Sequence, residues 1–225
     1  VLENWKALGI EANAGKHSLL SRTYRRFPNA NACHSYASPE NINQLLTEFG
    51  VEKEFGVLTL DIDGNDYWVL DAILSGFRPG LVVTEINESI PPPLRFVVKY
   101  DPAFQLHHHF FGHSISALED LCQNHGYGIL QLEYNNAFLA PRELAAQHFR
   151  EAESVYREGY LDRPDRKTRF AGNLDMEQLH SLSPDEGMQF VREFFANDEG
   201  NYYLAKDQES LLKLLEDCTF APPLS

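Results

Sequence analysis

The residues best equipped for chemistry in this chain lie in Leu60-Asp61-Ile62-Asp63-Gly64-Asn65-Asp66-Tyr67-Trp68, where carboxylates follow directly on the apolar run Val57-Leu58-Thr59-Leu60. An apolar run of this kind reads as a strand buried on both faces, as in the middle of a parallel sheet. Open α/β sheets bind ligands just beyond the carboxyl ends of such strands, which puts Asp61, Asp63 and Asp66 at the mouth of a crevice. Asp61, still inside the strand pattern, reads as functional, because a carboxylate ending a buried strand needs a partner. Asp66 reads as the N-cap of the following helix, in a solvated turn.

Further polar groups end neighbouring apolar runs: Glu11 after Gly9-Ile10, and Glu85 and Asn87 after Leu81-Val82-Val83-Thr84. His113 stands just before a helix capped by Ser114, and His107-His108-His109 lie in a loop. Consecutive residues point in different directions on any regular backbone, so at most two of these histidines converge. They read as loop surface, with a substrate-lid or metal-ligand role as the alternatives.

The elements that must position these groups follow from spacing. Leu2 to Leu8 reads as the end of a helix closed by Gly9, then Gly9 to Asn13 as a strand. Lys16 to Phe27 has helical spacing and stops at Pro28. Ala32 to Ala37 is a strand. Ser38 as N-cap and Pro39 at the first position open a helix that runs to Phe49. The strand at Val57, a helix over Asp66 to Leu74 and a strand over Leu81 to Asn87 continue the alternation. Repeated strand–helix units specify an α/β fold with a doubly wound, mostly parallel sheet. Right-handed crossovers put its strand ends on one rim, which collects Glu11, Ala37-Ser38, Asp61-Asp63 and Glu85-Asn87.

Pro91-Pro92-Pro93 reads as a rigid extended connection. Arg95 to Gly112 reads as a long irregular segment of the kind that serves as a lid or binding loop. Tyr127 to Tyr134 and Ala137 to Ala140, separated by Asn135-Asn136, form a terminal antiparallel hairpin. From Pro141 the pattern is charged and helical, with a capping box at Ser183 and Glu186 and a last helix over Ser210 to Leu215. The chain thus divides into an α/β domain over 1–140 and a C-terminal helical extension over 141–225 packed on it. Trp5 and Trp68 read as core aromatics.

The chain has 225 residues, with 19 basic and 33 acidic side chains and a net charge of −14. That balance argues against a nucleic-acid or anionic-membrane surface, which needs a basic footprint. Cys33, Cys122 and Cys218 are widely spaced, which fits a reducing, cytoplasmic compartment and gives no zinc signature. No stretch approaches a membrane span and no signal peptide is visible. The chain opens at Val1 in mid-pattern, which suggests that an N-terminal segment precedes it.

A parallel sheet that finishes in a hairpin resembles the class I S-adenosylmethionine-dependent methyltransferases. The run Leu60 to Trp68, Val83-Thr84-Glu85-Ile86-Asn87 followed by prolines, Phe111-Gly112-His113-Ser114 and Asn135-Asn136-Ala137-Phe138 resemble the FkbM-like branch of that family. The likeness covers residues 1–140 and implies a Rossmann-like domain. It implies that Glu11 binds the cofactor ribose, since a carboxylate accepts two hydrogen bonds from a diol. Ala37 and Ser38 would form the turn beside the adenine, with Tyr36 or Ile62 as apolar neighbours, and Asp61 would face the methionine end or the acceptor. The family's first strand and its glycine-rich loop would precede Val1; Gly15 follows the wrong strand to replace them.

The reaction this implies is methyl transfer to oxygen, an in-line displacement that needs alignment and proton removal. Two arrangements could supply them. Asp61 or Asp63 with Glu85, and Asn87 as a further ligand, could hold Mg²⁺ or Mn²⁺, which take oxygen ligands. Alternatively His113 could act as a metal-free base. The expected function is an O-methyltransferase acting on a small polar acceptor, such as a sugar or glycan hydroxyl or a secondary metabolite. The tail could serve as a lid or as a dimer contact, and a homo-oligomer is a possible partner arrangement. The alternatives are a non-catalytic methyltransferase-like interaction module and a metal-dependent hydrolase using Asp61, Asp63, Glu85 and the histidines.

Overall fold

The computed structural model describes residues 5–216, which form a mixed α/β architecture of helices and several β-sheets. β1 (Ala7–Glu11) pairs in parallel with β2 (Ala30–His34), the two connected by α1 (Ala14–Tyr24). After α2 (Ile42–Glu48), β3 (Val57–Leu60) and β4 (Leu81–Glu85) form a second parallel pair joined by α3 (Asp66–Gly76). Then come β5 (Arg95–Val98), α4 (Ile115–Asn124), β6 (Tyr127–Glu133) and β7 (Asn136–Pro141). β7 runs antiparallel between β4 and β6, giving the order β3-β4-β7-β6.

The segment after β7 contains α5 (Arg142–Ala145), α6 (Ala152–Tyr156) and a π-helical turn at Arg157–Leu161. It continues through α7 (Arg166–Arg169), a 3₁₀ run at Ala171–Ser181, α8 (Pro184–Phe194), β8 (Tyr202–Ala205) and α9 (Gln208–Glu216). The capping box forms at the start of α8: the Ser183 hydroxyl accepts from the Glu186 N–H, and the Glu186 carboxylate accepts from the Ser183 N–H.

Helix α3 forms because its residues share one apolar face. Tyr67, Val69, Leu70, Ile73 and Leu74 are buried in the main core, each such side chain contributing about 1.5–3 kcal/mol. That core also takes in Ala152, Val155, Tyr156, Tyr160 and Leu211. The segment after Pro141 is therefore packed directly on the α/β layers. A second core gathers Phe96, Val98, Phe110, Met176, Leu179, Val191 and Phe195 around β5 and β8.

The structure departs from the sequence reading where a distant partner decides. Ala7 and Leu8 belong to β1, not to the end of a helix, because β2 supplies a ladder; Leu2 lies outside the described residues. Helix α2 begins at Ile42, since Asn41 Oδ1 accepts from the Ser38 N–H at 2.9 Å and closes a turn ahead of it. The proline run bends, with Leu94 N–H donating to Pro91 O at 3.1 Å and a cis peptide between Pro92 and Pro93. The segment from Arg95 opens with a strand, because β8 pairs with it from about a hundred residues downstream, and the tail is accordingly not all helical. The hairpin turns at Tyr134-Asn135, one position early, with Tyr134 at φ 58°.

Among the described residues, β1 and β3 do not pair with each other. Each uses one edge for its ladder, to β2 and to β4, and leaves the other edge unpaired. Their starts are nevertheless close: a Cβ on Gly56 would lie 3.2 Å from the Trp5 ring. Trp5 is 50% exposed and Val57 41%, although both were expected inside. Trp5 precedes β1 and Val57 opens β3, so both exposed side chains stand at the starts of strands that have one unpaired edge. Among the described residues no helix is long and apolar enough to cross a membrane.

Candidate functional site

The loop after β3 is built by Asp66. Its carboxylate accepts from the N–H of Ile62 and of Gly64, both at 2.9 Å, and the side chain is buried. Asp66 is thus a clamp within the loop and not a solvated N-cap; Asn65 occupies the cap position. Asp63 takes φ 58°, a left-handed conformation that aspartate tolerates better than most residues. Asn65 Nδ2 donates to the Tyr36 hydroxyl and to Asp101 O, tying the loop to the chain beyond β5.

This clamp turns Asp61 and Asp63 toward Glu85 at the end of β4. Oxygens of the three carboxylates lie within 4.8 Å of one another. Asn135 Nδ2 donates to Glu85 Oε1 at 2.5 Å and fixes its orientation. Burial and the neighbouring Asp63 hold the Asp61 pKa above the usual carboxylate range, with Lys16 acting against them. Burial, then Asp61, Asp66, Glu88 and Asp63, push Glu85 up to about 8. Burial raises Asp66 to about 6 against the pull of its two amide donors.

Carboxylates crowded in this way repel one another, and a hard cation relieves the repulsion. An all-oxygen donor set suits Mg²⁺ or Mn²⁺. The crowding also sets the pH dependence of stability. A carboxyl whose pKa is higher folded than unfolded binds more protons in the folded state, so stability falls as pH rises between the two values. For Glu85 that window runs from 4.5 to about 8, and for Asp66 from 3.8 to about 6. In the absence of divalent ions, the thermal midpoint is expected to fall through this range and to level off above it. Glu85→Gln should flatten the upper half of the decline. A wild-type profile that stays flat from about pH 5 to pH 8 would contradict the crowded-acid geometry.

The other expected site residues are placed as follows. Glu11 ends β1, and its Oε1 accepts from the Asn13 N–H at 2.7 Å, which holds the carboxylate at the strand tip. Asn13 in turn caps α1, accepting from Gly15 and Lys16 N–H groups. Lys16, in the first turn of α1, is close enough to Asp61 to lower its pKa. Ala37 packs at the margin of the main core, and Ser38 is buried in the turn before α2. Asn87 is buried and fully engaged with backbone, donating to His109 O and Phe111 O and accepting from Ser89 N–H. It anchors the histidine loop and is not free to ligate an ion.

His113 is sealed in the core, edge-on to Tyr67, with neither ring nitrogen hydrogen-bonded. Burial lowers its pKa to about 3. A general base must reach the proton it removes, and His113 as placed has no path to solvent or ligand. The spacing before Ser114 carried no sign of this, because an apolar neighbourhood assembled from Tyr67 and β5 is not local in sequence.

Two acids were missed. Glu88 is buried near Glu85, held by Asn173, and burial raises its pKa. Asp175, on the 3₁₀ run, meets His108 and His109. Glu88 could have been noticed three residues after Glu85; nothing local marks Asp175. A separate hollow between α8 and β8, lined by Lys99, Arg192, Tyr203 and Leu214, contains none of the rim carboxylates. Compared with known proteins, the sequence matches no family model and no curated relative.

Proposed function

We propose that this chain is an S-adenosylmethionine-dependent O-methyltransferase of the FkbM-like kind, acting on a small polar acceptor such as a sugar or glycan hydroxyl or a secondary metabolite. The observation that carries the reading is the layout of the two parallel pairs. Placed side by side, β2-β1 and β3-β4-β7-β6 would make the doubly wound sheet this reading calls for, with a place between β1 and β3, whose edges there carry no ladder. The reversed β7 beside β4 supports the same reading. A class I methyltransferase sheet has its first strand at that place, followed by the glycine-rich loop.

On this reading Glu11 binds the ribose hydroxyls, and Ala37 and Ser38 flank the adenine. The cofactor, when bound, supplies the electrophilic methyl group. Asp61, Asp63 and Glu85 then face the acceptor. They could hold Mg²⁺ or Mn²⁺, which would lower the pKa of an acceptor hydroxyl. Glu85, raised to about 8, is also matched to proton removal near neutral pH. Asp61 beside it would orient the hydroxyl.

Glu11→Ala tests the ribose assignment. Two hydrogen bonds to a charged acceptor are lost, so binding of S-adenosylmethionine should weaken about 100-fold, or roughly 3 kcal/mol. Equilibrium dialysis on wild type and variant gives the ratio; equal affinities would remove Glu11 from the site. A second reading, a metal-dependent hydrolase, is favoured by the convergence of Asp61, Asp63 and Glu85. It requires metal binding with no affinity for the cofactor.

A further inference from the structure

The loop histidines make a second constellation, independent of the methyltransferase reading. His108 Nε2 lies 3.4 Å from Asp175 Oδ2, and His109 Nε2 lies 2.9 Å from Asp175 Oδ1. All three side chains bring a donor atom within 4.8 Å of the others. We propose that His108, His109 and Asp175 bind a zinc-class divalent ion, one that takes mixed nitrogen and oxygen ligands, and that the ion ties the histidine loop to the 171–181 segment.

The backbone provides the first reason. Adjacent side chains diverge on a regular strand or helix. Here His108 takes φ 48°, and its ring meets the ring of His109 with centroids 4.2 Å apart. A non-glycine residue in the left-handed region is uncommon, and such positions gather at ligand clamps. This one turns two imidazoles onto one carboxylate.

Spacing provides the second reason. Ligand atoms bound about 2.0–2.1 Å from a tetrahedral ion stand about 3.4 Å from each other. The two Nε2 atoms stand 3.4 Å from Asp175 Oδ2 and 2.9 Å from Asp175 Oδ1, separations of the same order as that edge. An ion would replace the His109–Asp175 hydrogen bond and the looser His108–Asp175 ion-pair contact.

The surroundings provide the third. A ligating histidine needs its other nitrogen held by an acceptor. His109 Nδ1 faces Ser89 Oγ at 3.4 Å, so the ring can carry its proton there and present Nε2 to the ion. Asn87 Nδ2 donates to His109 O at 2.8 Å and fixes the main chain beneath. His109 is buried, whereas His108 and Asp175 are partly exposed, which leaves a route for the ion and room for a water ligand. The donor set of two imidazoles and one carboxylate suits zinc, and Co²⁺ as its probe, better than Mg²⁺.

The test is titration of metal-free full-length protein with Zn²⁺ and, separately, with Co²⁺. The expected result is about one equivalent bound at micromolar or tighter affinity, with a rise in thermal midpoint. Co²⁺ should show the visible absorption of a four- or five-coordinate site without a thiolate band. Asp175→Asn and His108→Ala should each weaken Zn²⁺ binding at least about tenfold, as expected for loss of one ligand. Both positions are partly exposed, and matching metal-free thermal midpoints would verify folding. Glu85→Gln should leave Zn²⁺ affinity unchanged. No bound Zn²⁺, or binding unaffected by both loop-site variants, would overturn the proposal. So would binding lost in Glu85→Gln and kept in Asp175→Asn, since the ion would then sit among the rim carboxylates.

Discussion

Glu177→Ala is expected to destabilise the protein by about 3 kcal/mol, near the lower end for breaking a buried ion pair, because Glu177 keeps 30% exposure. Arg166 is 5% exposed, and its guanidinium donates to both Glu177 oxygens, at 2.8 and 2.9 Å. Its Nε donates to Leu161 O, and the group lies over the Tyr160 ring. Removing Glu177 leaves a cation enclosed without a counter-charge. The same pair holds Glu177 at about 2, chiefly through the Arg166 hydrogen bonds. A carboxyl lowered in this way contributes stability above its unfolded pKa of 4.5 and loses it as pH falls toward about 2. Urea unfolding near neutral pH measures the first effect, and the acid limb of a stability profile measures the second. Replacing both residues with apolar ones of similar volume should recover most of the loss, because burying the pair is itself costly. A cost under about 1 kcal/mol for Glu177→Ala would place this contact among ordinary surface pairs.

Asp66→Ala is expected to cost about 2–4 kcal/mol and, on the proposal that the rim carboxylates hold a divalent ion, to weaken Mn²⁺ binding there. The carboxylate is the shared acceptor of the Ile62 and Gly64 N–H groups, and each donor left unsatisfied in a buried site costs about 1–3 kcal/mol. Without the clamp the loop loses both amide bonds that bracket Asp63 in its left-handed conformation, so Asp61 and Asp63 are expected to converge less closely on Glu85. Asp66→Asn keeps one acceptor oxygen and should show about half the loss. Urea unfolding and Mn²⁺ titration of the two variants give the pair of numbers. Unchanged Mn²⁺ affinity in Asp66→Ala would mean that the loop is organised by something other than this side chain.

The parts legible in the sequence were those set by local chemistry. The carboxylates after Val57 to Leu60 and the glycine beside them predicted a loop at a strand end, and Asp61, Asp63 and Glu85 do come together there. The Ser183 and Glu186 spacing predicted its capping box, and the hairpin lay within one position of its place. What could not be read depends on partners remote in the chain. β5 becomes a strand because Tyr202 to Ala205 lies beside it. Trp5 is exposed just ahead of β1, although its apolar ring suggested the core. His113 carries a polar label, yet Tyr67 and Val97, brought in from other elements, enclose it. Asp66 looked like a cap because its position was right; its use as an acceptor within the preceding loop is a matter of three-dimensional direction. Asp175 had no local signature, since its histidine partners are some 66 residues away.

The measurement that tests the methyltransferase reading most directly is calorimetric titration of S-adenosylmethionine into the full-length protein, with and without Mg²⁺. The expected result is binding at about micromolar affinity, roughly 8 kcal/mol, that weakens about 100-fold in Glu11→Ala and is present whether or not Mg²⁺ is added. No heat of binding under either condition, with wild-type protein shown to be folded, would contradict the reading and leave the rim carboxylates to metal-dependent hydrolysis or the fold to an interaction role.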